Sequence, residues 1–461
     1  MFKTATYKTR REKLANDLGN GVILILGNGE SSINFKDNVY PFRQDSNFLY
    51  FFGIDRPDLA AIIDVDEQKT IVFGDDLSVE YIVWMGPQPA LADQAAAAGV
   101  KNTAPYSDLE GYLAEAVKKN RAVHYLPPYR PENVIKLHKW LGIPLDEVKA
   151  KASVPFIKAV VAQASIKNEE EIREMELAVN VSGAMHVAAM KAARPGITEA
   201  QLTGIVEGIA SACQMHTAYP VILSKNGQIL HNHYHGNTLE SGQLVLGDFG
   251  AESKMHYAGD LTRTFPVAKK FTSLQKDIYN IVLDAEVKSI ESLKPGVKYM
   301  DTHLFASKII TEGLKGLGFM KGDTDEAVAN GAHALFFPHG LGHMIGLDVH
   351  DMEDLGENYV GYAEGQERST QFGLKSLRLA KSLEPGFVLT VEPGIYFIPE
   401  LIDMWEKEKK HDAFINYDKL KDMRNFGGVR IEDNVLITSD GHRILCNPVP
   451  KTVEEVEALR Q

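Results

Sequence analysis

The chain of 461 residues is 44% hydrophobic and 24% charged with 38 Gly and 20 Pro, a globular composition too long for one hydrophobic core. Its formal net charge of -13 argues against nucleic acid or an anionic membrane as partner, because either needs a basic patch. Two cysteines, Cys213 and Cys446, supply neither a disulfide framework nor a paired metal site, and the basic N-terminal stretch has no apolar signal core, so a cytoplasmic location is expected.

In chain order, VILILG, AAIIDVD and TIVFGDD read as strands, and ALADQAAAAGV and DLEGYLAEAVKKN as helices. That alternation predicts a smaller α/β domain over residues 1–160. At Asn168 the pattern changes: Asn168 caps a helix, Glu171 takes the capping-box position, and Ile172, Met175, Val179, Gly183 and His186 recur at helical spacing. From 161 to 461, long helices and β-rich stretches come in blocks, which predicts an α+β domain with antiparallel sheet. Residues 351–383 are long, charged and Gly-containing, the pattern of a flexible loop or a lid.

Asp248 ends the strand pattern LVLGD and Asp260 opens DLTRTFPV, so a hairpin would set two carboxylates side by side. They repel unless something positive lies between them: a metal ion, or Arg263 in a structural salt bridge. PHGLGHMIGLDVHD adds His339, His343 and His350, with Gly340 and Gly342 pointing to tight loop geometry rather than a zinc-protease helix. Glu392 and Glu432 interrupt apolar strand patterns, and an inward carboxylate needs a cation or a donor network. Two Asp, two Glu and one His balance two divalent ions, and an oxygen-rich set without thiolate suits Mn, Co or Zn.

With ILHNH, DFG and GDLTRT, HGLGH and DVHD, VEPGIY, and GVRIED in this order, the chain resembles the pita-bread metallopeptidases, in the proline-specific branch of aminopeptidase P and prolidase. FRQDSNFLYFFGIDRPD also resembles the N-terminal domain of the aminopeptidase P type. The resemblance implies a C-terminal pita-bread domain behind a smaller α/β domain, and two divalent ions, Mn first, on Asp248, Asp260, His343, Glu392 and Glu432. It also implies that His231, His339 and His350 surround the substrate, that Arg430 stands behind the ligands, and that the protein is at least a homodimer. One departure is a segment between the two aspartates one residue longer than is common in the family.

The activity so implied is cleavage of the Xaa-Pro bond of proline-containing peptides, as an aminopeptidase, with a dipeptidase as the alternative. Arg378 resembles the prolidase arginine that grips the proline carboxylate, which a guanidinium does with two hydrogen bonds. Trp84, in IVWMG, is either a core residue or an aromatic wall for the proline ring across a subunit boundary. A metal-free creatinase-like enzyme and a non-catalytic binding protein are the rivals, and the presence of all five ligand types speaks against both.

Overall fold

The apolar run Val22–Leu26 pairs antiparallel with Ala60–Asp64 on one side and parallel with Val123–His124 on the other, inside a five-stranded sheet that Lys69–Phe73 and Asn102–Ala104 complete. The strand residues Val22, Leu24, Ile62 and Phe73 are buried with Leu109 and Leu113 of helix Asp108–Lys118 and Leu137 of helix Pro131–Leu141. Strand, turn and helix alternate as the sequence pattern requires. The computed structural model describes residues 1–460, and its first compact unit comprises Met1–Ala164 and Met352–Tyr359.

The second unit comprises Ser165–Asp351 and the chain from Val360 onward. Helix Glu169–Ala192 starts at the expected capping box: the Asn168 side chain accepts from the Glu171 amide, and the Glu171 carboxylate accepts from the Asn168 amide. Four long helices dominate this unit, Glu169–Ala192, Glu199–Ala212, Ser273–Ser292 and Tyr299–Gly316. Each pair is joined through a Pro-Gly turn, and Gly196 and Gly296 sit at φ of 90° and 86°, where a side chain is strained.

The strands form small antiparallel sheets. Leu244–Asp248 lies between Thr262–Pro266 and Ile222–Ser224; Asp433–Ile437 lies between Val388–Val391 and His442–Ile444. A bridge between Thr262 and Glu432 joins the two groups, and Gly394–Tyr396 pairs with Gly428–Arg430 beside them. The architecture is therefore α+β with an α/β first unit. Within 360–383 the backbone is folded into turns rather than left open: the Tyr362 hydroxyl donates to the Leu377 carbonyl at 2.8 Å and the Ala380 amide to Gly361 at 2.8 Å.

Candidate active site

The hairpin expected from the sequence forms, with Asp248 opposite Thr262 in the antiparallel register. Both aspartates are buried, and the Tyr219 hydroxyl reaches both, at 2.6 Å from Asp248 Oδ1 and in a shorter contact with Asp260 Oδ1. A phenol has one proton, so it serves one carboxylate at a time. Behind the aspartates, Asp260 is fixed through its backbone: its amide donates to Asn434 Oδ1 at 3.0 Å, and Asn434 Nδ2 donates to its carbonyl at 2.6 Å. His186 Nε2 faces the carbonyls of Phe249 and Leu261 at 3.1 and 2.8 Å, the residues that follow the two aspartates. Burial holds this imidazole neutral, its pKa lowered to about 3.

His343 comes from the HGLGH loop, whose close passage requires Gly342: a Cβ there would lie 2.1 Å from the Thr390 carbonyl oxygen. Its Nδ1 donates to the Met344 carbonyl at 3.0 Å, which leaves Nε2 turned to Asp260 Oδ2 at 3.5 Å and Glu392 Oε1 at 3.6 Å. Burial disfavours the charged ring, but the Asp260 and Glu392 carboxylates outweigh burial and raise its pKa. Ligand atoms of Asp260, His343 and Glu432 all lie within 4.8 Å of one another.

Glu432 Oε2 accepts from the Thr262 hydroxyl at 2.7 Å, whereas Oε1 is buried and has no hydrogen-bond partner among the described residues. Burial, then the neighbouring carboxylates, push its pKa well up, and push Glu392 to about 7. Such a set fits a cation: an orphaned buried oxygen, an imidazole in the ligating tautomer, and acids that repel without one.

Arg430 is the cation inside this shell. Its Nη2 holds Asp248 Oδ2, its Nε meets the Thr262 hydroxyl at 3.2 Å, and its Nη1 donates to the Tyr396 hydroxyl at 2.8 Å. Tyr396 in turn lies 2.8 Å from His339 Nε2, while His339 Nδ1 donates to the Gly340 carbonyl at 2.8 Å. The relay from Arg430 through Tyr396 thus fixes the His339 tautomer, and burial, reinforced by Arg430, lowers its pKa to about 3. The His350 ring stands 4.3 Å from that of His343 in edge contact, kept neutral by burial and then by His343 and Arg378.

The other sequence-predicted residues stand further out. His231 lies on a loop with its residue surface exposed but its ring partly screened from water; that partial desolvation lowers its pKa, Asp248 opposes the shift, and Arg430 and Arg378 reinforce it. Arg378 is half-buried, and its charge acts on both His231 and His350. Arg263 does not neutralise the aspartates; it pairs with Asp433 at 2.7 Å. Trp84 belongs to the first unit, where helix Val79–Met85 leaves it 81% exposed, so it is not a core residue. Sequence reasoning missed Tyr219, Tyr396, Asn434 and His186. A tyrosine or asparagine beside a strand carries no spacing signal; His186 was placed only on a helical stripe.

Comparison with known proteins agrees with this geometry. Residues 173–439 match the model of metallopeptidase family M24, and residues 7–125 match the aminopeptidase P N-terminal domain. The chain is 34% identical over 461 residues to the Xaa-Pro dipeptidase of Homo sapiens, covering 95% of this chain and 88% of that protein. A probable Xaa-Pro aminopeptidase of Botryotinia fuckeliana (strain B05.10) is 33% identical over 444 residues, with 95% and 92% covered. Among solved structures, an Escherichia coli aminopeptidase P variant in complex with substrate aligns with a TM-score of 0.82 at 30% identity, covering 100% of this chain and 98% of that one. Zn-substituted Escherichia coli aminopeptidase P in complex with product gives a TM-score of 0.81 at 30% identity over the same shares.

Proposed function

The chain belongs to metallopeptidase family M24, in its proline-specific pita-bread branch, and on that premise we propose that it hydrolyses the N-terminal Xaa-Pro bond of peptides and releases the residue before proline. The observation that carries this reading is the charge imbalance around His343: Asp248, Asp260, Glu392 and Glu432 face one guanidinium, that of Arg430. Asp248, Asp260, His343, Glu392 and Glu432 would hold two divalent ions, Mn first, with Co and Zn as the other fits. Bound there, the ions supply Lewis acidity that activates water and polarises the scissile carbonyl at neutral pH.

The protein groups orient the rest. Arg430 and Tyr219 fix the two aspartates, and the Arg430–Tyr396 relay holds His339 neutral and in one orientation, so that its ring adds no charge to the site. His350 and the loop histidine His231 flank the substrate, His231 from the open side. The division near residue 160 into an N-terminal and a catalytic domain is supported by the compact units and the spans of the two family matches.

A dipeptidase is the second reading, favoured by the relatives named Xaa-Pro dipeptidase and by the half-buried guanidinium of Arg378 near His231 and His350. Mn-loaded protein is to be incubated with one Xaa-Pro dipeptide and one Xaa-Pro pentapeptide. Release of the first residue from the pentapeptide establishes the aminopeptidase; cleavage of the dipeptide alone establishes the dipeptidase with Arg378 as carboxylate clamp. Cleavage of neither overturns both.

A homodimer is part of the same proposal. Val79, Val83, Trp84 and Met85 are all exposed on one short helix with no buried residue, apolar surface that a second copy would cover, with Trp84 as an aromatic wall at the neighbour's substrate. Sedimentation of Trp84→Glu against the parent tests it. Among the described residues no helix is long and apolar enough to cross a membrane, and Cys213 and Cys446 are unpaired, which supports the cytoplasm as location.

A further inference from the structure

A buried carboxylate outside the acidic cluster ties down both ends of the loop that carries His231. Glu199, at the start of helix Glu199–Ala212, has no exposed surface. Its Oε1 accepts from the Ser224 hydroxyl at 3.0 Å and the Lys225 amide at 2.8 Å. Its Oε2 accepts from the backbone and side-chain amides of Asn237 at 3.2 and 2.9 Å. Lys225 and Asn237 stand at the two ends of the segment that contains His231, so one side chain closes the loop.

The bond to Ser224 reaches further. With its hydrogen directed to Glu199, Ser224 Oγ keeps its lone pairs for the Asn226 amide and for Asn232 Nδ2, each at 3.0 Å. Asn232 is buried and follows His231 directly, and its Oδ1 accepts from the Tyr234 amide at 3.0 Å. The amides of Glu199 and Ala200 hold the outgoing end through the Asn237 and His235 carbonyls, each at 3.0 Å.

We propose that Glu199 is a positioning residue for the peptidase reaction, a carboxylate clasp that sets where His231 stands; this rests on the assignment of His231 to the substrate made above. Four donors converge on Glu199, two on each oxygen, and only a carboxylate accepts on both. Glutamine of the same shape turns an NH2 group toward one pair of donors and releases that end of the loop.

The test compares Glu199→Gln, His231→Ala and the double variant of the full-length, Mn-loaded protein on an Xaa-Pro pentapeptide, with backbone hydrogen exchange read at Lys225 and Asn237. Glu199→Gln is expected to keep its metal content, to speed exchange at one of those amides, and to lower kcat/KM about tenfold to a hundredfold, the effect of an ångström-scale misplacement. Acting through His231, it adds nothing further in the His231→Ala background, whereas a general structural loss is additive. Ser224→Ala provides a second variant that cuts only the branch to Asn232; its smaller loss is likewise absorbed by His231→Ala. Additive losses, or unchanged exchange at both amides, overturn the inference while His231 keeps its role. A fully active His231→Ala removes the role of His231 first and the clasp with it.

Discussion

Glu432 and Asp433 are adjacent and both buried, yet they turn to opposite sides of the chain and into two clusters of unlike balance. Glu432 joins Asp248, Asp260 and Glu392, which share one guanidinium, and keeps an oxygen without a hydrogen-bond partner among the described residues. Asp433 joins Glu286, and these two acids meet two cations: Arg263 and Lys451 each reach Asp433 at 2.7 Å, and Lys451 also reaches Glu286 at 2.7 Å. Arg263 donates in addition to the Glu432 carbonyl at 2.7 Å, so the balanced cluster braces the unbalanced one. In the balanced set, burial and then Asp433 push Glu286 up to about 8, while burial of the Asp433 carboxyl is outweighed by Arg263 and Lys451, which pull it down; in the other set, burial and neighbouring acids push Glu392 and Glu432 up together. Buried charge is thus not itself the mark of a site. The mark is charge that the protein leaves uncompensated.

The largest effects should come from the unbalanced side. Asp260→Ala or Glu392→Ala is expected to lose metal at one position and to lower turnover by orders of magnitude, read by metal analysis and pentapeptide cleavage on the same sample. Near-normal turnover with full metal content would dissolve the contrast between the clusters.

A sharper comparison uses the two neighbours in chelator-treated protein. Asp433→Asn leaves the buried Arg263 guanidinium without a counter-charge and Lys451 with Glu286 alone, and should cost about 3–5 kcal/mol, the usual loss on breaking a buried ion pair. Glu432→Gln removes one of several mutually repelling acids and should leave stability unchanged or raise it. Thermal scans separate the two. Added metal should stabilise the parent, by about 2.7 kcal/mol at a hundredfold excess over Kd, and do much less for Glu432→Gln. Equal destabilisation by both variants would mean that both clusters are structural.

Lys451→Met should fall between these limits, at about 2–3 kcal/mol for the lost charged hydrogen bonds, because Arg263 remains on Asp433. Its metal content should match that of the parent, and Lys451→Arg should recover most of the loss.

Much of the unbalanced cluster was legible in the sequence because Asp248 and Asp260 stand at the facing ends of two strand patterns that a hairpin sets side by side, while Glu392 and Glu432 interrupt apolar strand patterns, and such carboxylates have few physical explanations. Glycine-flanked histidines gave the loop of His343 in the same way. The balanced cluster was less legible: Glu286 sits in the helix pattern DIYNIVLDAEVKSIESL, where its burial follows only from tertiary packing, and Lys451 lies beyond the last motif. Arg263 was read as a possible partner of the aspartates because it is close in sequence, but the strand it occupies turns it toward Asp433 instead. Tyr219 and Asn434 each act through two hydrogen-bond contacts to the aspartates that no periodicity encodes. The capping box at Asn168 and the alternation of the first unit were readable because both are local.

The smallest effect belongs to a cluster near the surface of the first unit, where Arg121 faces Asp64, Asp66 and, at 4.0 Å, Glu67, so that solvent rather than a second cation relieves the excess negative charge. Asp64 is buried and accepts from the Tyr112 hydroxyl at 2.7 Å, the Glu67 amide at 2.9 Å and Arg121, which also reaches Asp66 at 2.8 Å. Burial raises the Asp64 pKa, but the hydrogen bonds from Arg121 and Tyr112 outweigh it, and the net direction is down from 3.8. A carboxyl whose pKa is lower in the folded state adds stability above its unfolded value, and that contribution is lost as pH falls through the folded value. Asp64→Asn should therefore cost about 1.5–3 kcal/mol at pH 7, within the range of charged hydrogen bonds. Because the parent forfeits the same contribution in acid, the gap between the two should narrow as pH drops below 3.8, as thermal scans across that range would read. A gap that stays constant would assign the loss to shape rather than charge, and solvent would no longer stand in for the missing second cation.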